Sequence, residues 1–208
     1  FLLRLVMLAS DSDTHLVIYE SGTALVVGLA TFGTAVPLLI TRRRHASEAM
    51  LMRPAAPSAY ALWLPAVVVL PWALTHAVLI AATMLGFEVL SFPQNSTEER
   101  LLTLGFLPTM LLDAVILGPG GAIAFFGILL PWLRRRQPLT NCAALLAFSE
   151  VSRIFADGPI GTAVFWASGA LLITFAWARS GSLWLPIAMY AALAALEVTI
   201  AWYGMTPT

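Results

Sequence analysis

Long apolar runs alternate with short polar stretches along this chain of 208 residues. A helix needs about 20 consecutive apolar residues to cross the roughly 30 Å of bilayer hydrocarbon, and six runs come close to or exceed that length. The pattern therefore predicts an all-α, polytopic transmembrane bundle of about six spans, without a linker or a soluble domain. The predicted spans are Leu16–Ile40, Ser58–Leu85, Leu101–Leu133, Asn141–Ala156, Ile160–Ala178 and Leu183–Trp202.

The third predicted span is interrupted by Gly118–Gly121, which reads Gly-Pro-Gly-Gly between two apolar runs. Glycine and proline disfavour a continuous helix, and irregular backbone survives at bilayer depth only where protein or a wet cavity covers it. We therefore expect the third span to be broken at Gly118–Gly121. The interrupted segment is long enough for two short helices or for one bent crossing.

Charges in the short loops decide between these alternatives, because arginine and lysine are enriched on the cytoplasmic side of membrane proteins. Three arginine clusters follow the first, third and fifth spans, whereas the loop 88–100 has no basic excess. These clusters are Arg42–Arg53, Arg134–Arg136 and Arg179. They share one side of the membrane only if the third span crosses once. We therefore predict one broken crossing, an N-terminus outside and a location in the bacterial inner membrane.

Composition agrees with a membrane location, since 60% of the residues are hydrophobic, 11% are charged and the mean hydropathy is +0.87. No water-soluble domain of this length could bury so much apolar surface in one core. Basic and acidic residues balance at 11 each, so no global attraction to nucleic acid is expected. The single cysteine, Cys142, excludes an intrachain disulfide and a multi-cysteine metal site. Lipid and other membrane subunits are the expected partners.

Ionisable residues inside the predicted spans are the first candidates for function, because charge at bilayer depth is costly without a partner. Glu150, Arg153 and Asp157 lie near one stripe of the fourth helix. This stripe is either a polar cavity or proton path, or a structural ion network near the outer membrane surface. Asp113, before the expected break, and Glu197, in the last span, are expected to make structural hydrogen bonds to neighbouring helices.

His76 is the only histidine within a predicted span. A neutral imidazole can ligate a haem or chlorophyll-type pigment, although a lone histidine more often only donates or accepts a hydrogen bond. The other two histidines, His15 and His45, fall at membrane edges, so no pair has the spacing of a zinc site. We therefore expect no metal and no cofactor, with pigment ligation at His76 as the alternative.

Three segments in the second half of the chain resemble motifs of one enzyme family. Gly121–Arg136 resembles Glu-Glu-x-x-Phe-Arg-Gly followed by an apolar stretch and basic residues. Ala143–Ser152 resembles a Phe-x-x-x-His helix, and Ala178–Trp184 resembles the turn before a final His-x-x-x-Asn helix. From about Leu101 to Tyr203 the chain thus resembles the CPBP family of intramembrane metalloproteases, which includes CAAX prenyl endopeptidases and bacteriocin-processing or self-immunity proteins.

The six spans predict one transmembrane domain over residues 1–208, of which the resemblance covers about half. Residues 1–100 would form N-terminal helices, and residues 101–203 would form the CPBP-like core. The family's chemistry, as the resemblance implies it, uses glutamate and histidine to activate water with a metal ion, which requires ligands and a base in one place.

The departures from the family pattern fall on that chemistry. The changed positions are Gly121 and Ala122 for two glutamates, Phe126 for an arginine, Ser152 and Tyr190 for two histidines, and Ala194 for an asparagine. Glu150 lies about 200° round the helix from position 152 and would not replace a histidine there. The resemblance therefore implies a degenerate member without catalytic residues, in which Phe125 or Phe126 fills the former pocket beside Gly121.

Three classes of function remain open. The expected one is a non-catalytic pseudo-protease that serves as a scaffold or accessory subunit of a larger membrane complex. A second is a diverged intramembrane protease or immunity-type protein that uses the polar residues of the spans. A third is a pigment-binding, cofactor-binding or transport-related membrane subunit.

Overall fold

The computed structural model describes residues 53–86, 96–155 and 160–205. The predicted first span Leu16–Ile40, Arg42–Arg44 and the N-terminus lie outside these ranges. No strand occurs in the described ranges, so the prediction of an all-α fold is confirmed there. The helices are α1 (Pro57–Met84), α2 (Ser96–Leu104), α3 (Phe106–Arg134), α4 (Leu139–Phe155), α5 (Ile160–Ser180) and α6 (Trp184–Met205).

Within the described part of the chain, 4 helices are long and apolar enough to cross a membrane, as an integral membrane protein requires. They are α1, α3, α5 and α6, which correspond to the second, third, fifth and sixth predicted spans. The predicted fourth span is the 17-residue helix α4, about 26 Å long at 1.5 Å per residue. It is shorter than the hydrocarbon layer, and the predicted number of six spans is not confirmed.

Helix α1 buries one narrow stripe, with partly buried side chains beside it. Pro57 suits its first turn, where the missing N–H has no helical acceptor. Val67, Pro71 and Thr75 are its buried residues, and their spacing of four places them on one face. Large apolar side chains cover the outward faces, as expected for contact with lipid; examples are Leu62, Val69, Leu70, Leu74 and Ile80.

The prediction of a break at Gly118–Gly121 is wrong, because α3 continues through this segment. Gly118 has right-handed helical dihedral angles, with φ −59° and ψ −59°. The helix instead widens into π turns at Leu111–Leu117 and Ile123–Leu129. Each π segment ends just before a proline-containing turn: Gly118 N–H donates to the Asp113 carbonyl and Leu130 N–H donates to the Phe125 carbonyl, five residues earlier in both cases.

Proline explains both widened turns. Pro119 and Pro131 follow the residues that make these bonds, and each proline lacks an N–H and clashes with the carbonyl four residues earlier in an ordinary α-helix. In π geometry a carbonyl pairs with the N–H five residues later, so the carbonyl four residues before the proline does not need the N–H that proline lacks. The third span is therefore one continuous helix from Phe106 to Arg134, and the two-helix alternative does not apply.

The interruption lies earlier in the chain, at Gly105 between α2 and α3. Gly105 has φ +84°, a left-handed conformation that glycine adopts without a steric penalty. Its N–H donates to the Leu101 carbonyl at 3.0 Å, which closes the last turn of α2. The long membrane helix thus begins at Phe106, five residues after the predicted start.

Contacts between helix termini define two ends of the bundle. At one end, the Ser182 hydroxyl donates to the Arg53 carbonyl at 2.6 Å, and the Arg134 guanidinium lies 5.8 Å from the Trp177 ring centroid. At the other end, the ring centroids of Phe106 and Trp202 are 5.5 Å apart. We call the first the arginine end; its arginines are Arg53, Arg134, Arg135, Arg136 and Arg179.

Candidate functional site

The centre of the bundle is filled by aromatic rings from three helices. Phe126 of α3 is fully buried, and its ring centroid lies 6.2 Å from that of Trp177 in α5 and 6.1 Å from that of Tyr190 in α6. Trp166 stacks on Tyr190 at 6.2 Å, and Phe125 meets Phe126 edge-on at 5.1 Å. These residues, Phe125, Phe126, Trp166, Trp177 and Tyr190, form what we call the aromatic core.

Four of the six positions that the resemblance matches to functional residues of the CPBP family lie in or beside this aromatic core. Ala122 and Phe126 lie one turn apart on α3, and Tyr190 and Ala194 lie one turn apart on α6; all are buried in one hydrophobic cluster. The two helices approach closely, because a Cβ added to Gly118 would lie 3.2 Å from the Tyr190 carbonyl oxygen. Apolar and aromatic side chains therefore occupy the place where these positions meet.

Gly121 does not belong to that cluster. It is exposed, and a Cβ added there would meet nothing within 4 Å. Consecutive helical residues project about 100° apart, so only Ala122 of this pair faces inward. The prediction that a phenylalanine ring fills the space beside Gly121 is wrong, although Phe126 is buried as expected. For Ser152, the side chain lies outside those described.

The aromatic core contains no carboxylate and no imidazole; its polar side-chain atoms are the Tyr190 hydroxyl and two indole nitrogens. The Trp177 Nε1 atom is buried without a hydrogen-bond partner. Among the described residues, no group of three or more His, Cys, Asp or Glu side chains could hold a metal ion. Cys142 is buried as a free thiol. The geometry at this site is that of side-chain packing.

Asp113 forms an ion pair with Arg100, whose Nη2 atom lies 3.0 Å from Oδ2. The two side chains are 12% and 7% exposed, for Arg100 and Asp113 respectively. Arg100 also donates to the Thr97 hydroxyl at 3.1 Å. This pair connects α2 to α3 across the Gly105 interruption. Asp113 is thus paired with a side chain of the preceding helix.

His76 lies on α1, where its Nδ1 atom is 2.9 Å from the Trp72 carbonyl and its ring centroid is 4.3 Å from that of Trp72. Donation from Nδ1 to this carbonyl orients the imidazole along its own helix. Glu197 is partly exposed on α6. The predicted polar stripe stays a prediction: Glu150 and Arg153 lie on α4 with side chains outside those described, and Asp157 lies outside the described residues.

Sequence reasoning missed the contributions of Trp166 and Trp177 to the site. They are 11 residues apart on α5, which is close to three helical turns, so both face the same side. That spacing was available as a signal, but tryptophans near span ends are usually membrane anchors. Arg100 was missed because its pairing with Asp113 depends on how α2 lies against α3 across Gly105.

Comparisons with protein-family models, with curated proteins and with solved structures find no match. The CPBP resemblance therefore stays a prediction. Function is inferred from the residues and from how the helices bring them together.

Proposed function

We propose that this chain is a non-catalytic integral membrane protein with a CPBP-like core over residues 101–203, which acts as a scaffold or accessory subunit of a larger membrane complex. The observation that carries the proposal is the burial of Phe126. This residue matches the family arginine, and its ring is 0% exposed among aromatic neighbours. Metal-assisted hydrolysis needs a hydrated site with ligands and a base, and a closed apolar core supplies none of these.

The outer faces of the bundle are the surfaces available for interaction. With an apolar core in place of a polar cavity, interactions with lipid or with other chains must use the surface of the bundle. Large apolar side chains stand out from several helices, among them Leu102, Val115, Leu145, Phe148 and Phe175. Helices in lipid associate through close packing, and a neighbouring membrane subunit would pack against these faces in place of lipid.

The proposed orientation puts the arginine end in the cytoplasm of a bacterial cell and the N-terminus outside. Its support is the charge asymmetry of the bundle. The described stretches nearest the arginine end, 53–70, 128–145 and 173–190, contain no aspartate or glutamate, whereas arginine there is abundant. Positive residues in short loops favour the cytoplasmic side.

Loss of protease chemistry is tested on the purified protein by metal analysis and by incubation with a prenylated peptide. We expect no stoichiometric zinc and no cleavage that depends on the protein. One tightly held metal ion per chain, or cleavage abolished by a chelator, would refute the pseudo-protease proposal.

The subunit proposal is tested separately in native membranes. Affinity purification in mild detergent, followed by mass spectrometry, should recover a stoichiometric partner complex. Deleting the gene should reduce the amount of that assembled complex on native gels, and reintroducing the wild-type gene should restore it. A complex that assembles equally well without this chain would contradict the subunit role while leaving the loss of protease chemistry intact.

A further inference from the structure

An apolar groove opens at the arginine end, between the start of α1 and the first half of α6. It has a volume of about 570 Å³ and is largely open to the surroundings. Its walls are almost wholly apolar, formed by Pro54, Tyr60, Trp184, Ile187, Ala188 and Ala191. Two of the lining side chains, Ala188 and Ala191, are small and lie about one turn apart on α6.

Hydrogen bonds fix the end of the groove beside Arg53 and Ser182, which we call its mouth. The Ser182 hydroxyl donates to the Arg53 carbonyl at 2.6 Å and accepts from the Trp184 N–H at 3.2 Å. Ser182 N–H donates to the Ser180 hydroxyl at 3.3 Å. Arg53, next to the groove residue Pro54, is therefore tied to the turn between α5 and α6. Arg179 precedes that turn, in the last turn of α5.

The mouth carries arginines, and the described stretches beside it lack acidic residues. Arg53 and Arg179 are exposed, and the described stretches 53–86 and 173–190 contain no aspartate or glutamate. Guanidinium groups bind phosphate oxygens through two parallel hydrogen bonds. Tyr60 and Trp184 belong to the aromatic types that favour the headgroup level of a bilayer. The groove thus combines apolar walls with a positively charged mouth that is complementary to a phosphate.

We propose that the groove binds one anionic phospholipid from the membrane leaflet at the arginine end. An acyl chain lies along Ala188 and Ala191, and the headgroup phosphate is held by Arg53 with Arg179. The volume falls within the roughly 300–1,000 Å³ of small-ligand sites, and its open side lets the rest of the lipid remain in the bilayer. The proposal does not depend on the CPBP resemblance or on a partner subunit.

Native mass spectrometry of the protein released from nanodiscs tests this site. In nanodiscs of phosphatidylglycerol mixed with phosphatidylcholine, the wild-type chain should retain one phosphatidylglycerol in preference to phosphatidylcholine. Arg53→Gln should lower that retention by at least about tenfold, the effect of losing a charge-assisted hydrogen bond. Ala188→Trp should abolish it by filling the groove.

Matched control variants distinguish the loss of this site from general effects of removing a charge or adding bulk. Arg136→Gln removes the same charge at the same end, where the Arg136 guanidinium lies over Trp132 at 4.9 Å, and should leave retention unchanged. Ala77→Trp adds the same bulk at an exposed position of α1 and should also leave it unchanged. Thermal unfolding of every variant in detergent distinguishes lost lipid binding from lost folding.

Each alternative occupant of the groove predicts a different experimental result, and any of these results would overturn the proposal. Equal retention of both lipids indicates a groove filled by ordinary bilayer lipid. A doubled mass without a lipid adduct indicates a second copy of the chain. Competition by inorganic phosphate alone indicates an ion site without an acyl chain. If Ala188→Trp does not fold, Ala191→Leu replaces it as the groove-filling variant. Unchanged phosphatidylglycerol retention in both Ala191→Leu and Arg53→Gln would also exclude the site.

Discussion

At the scale of single residues, Phe126 occupies the point where α3, α5 and α6 meet. Its ring is fully buried and touches aromatic rings on both other helices. Phe126→Ala should destabilise the protein by about 3–5 kcal/mol, because it removes buried contacts and leaves a cavity. The measurement is reversible unfolding in detergent.

Phe148→Ala is the control for Phe126→Ala. Phe148 has the same side chain but is 69% exposed on α4, so its removal should change stability little. Similar losses in the two variants would contradict a packed aromatic core. An unchanged midpoint for Phe126→Ala would do the same.

The Arg100–Asp113 ion pair is a second place where substitution is informative. Asp113→Ala should cost about 3–5 kcal/mol, because it leaves the buried guanidinium without its carboxylate. The double variant Arg100→Met with Asp113→Leu should be close to the wild type in stability, since a buried ion pair is often replaceable by apolar side chains. A double-mutant cycle measures the difference, and additive losses would show that the two groups are not energetically coupled.

At the scale of elements, α3 is the helix whose path depends on glycine and proline together. A Cβ on Gly118 would lie 3.1 Å from the Asp113 oxygen and 3.2 Å from the Tyr190 oxygen, both backbone atoms that cannot move aside easily. Gly118→Ala should therefore destabilise the protein by about 1–3 kcal/mol through overpacking. The measurement is the same unfolding experiment in detergent.

Gly121 supplies the control within the same motif. A Cβ there would meet nothing within 4 Å, and alanine is favoured over glycine in a helix by about 0.5–1 kcal/mol. Gly121→Ala should therefore be neutral or stabilising. The opposite ranking of the two variants would mean that α3 and α6 do not approach each other at Gly118.

At the scale of the whole molecule, the arginine end should face the cytoplasm. Cys142 is buried, so a Cys142→Ala background permits labelling of single introduced cysteines. Arg136→Cys should react with a membrane-impermeant maleimide only after the cells are permeabilised. Met84→Cys, at an 82% exposed position near the opposite end, should react in intact cells.

The reverse labelling pattern would place the arginine end outside and the N-terminus in the cytoplasm. Labelling of both positions from the outside would contradict a membrane-crossing path for the helices between them. Since α1 connects the two ends, this result would also remove the premise of a leaflet-specific lipid groove.

Several features followed from the sequence alone because they depend on local quantities. The all-α class and the membrane helices α1, α3, α5 and α6 follow from length and hydropathy, which act on each segment whatever its neighbours are. The burial of Phe126 was expected from replacement of charged family positions by apolar ones. The proline-containing first turn of α1 is likewise a local preference.

Other features were decided only by tertiary structure. Gly118 suggests a break when it is considered alone, yet in the bundle it permits close contact with Tyr190 while π turns accommodate the following proline. Whether Gly121 or Ala122 faces the core depends on the rotation of α3 against α6. Arg100 reaches Asp113 because the chain turns at Gly105. Each outcome depends on which backbone or side chain of another element lies opposite, and the neighbouring residues in the sequence do not determine that.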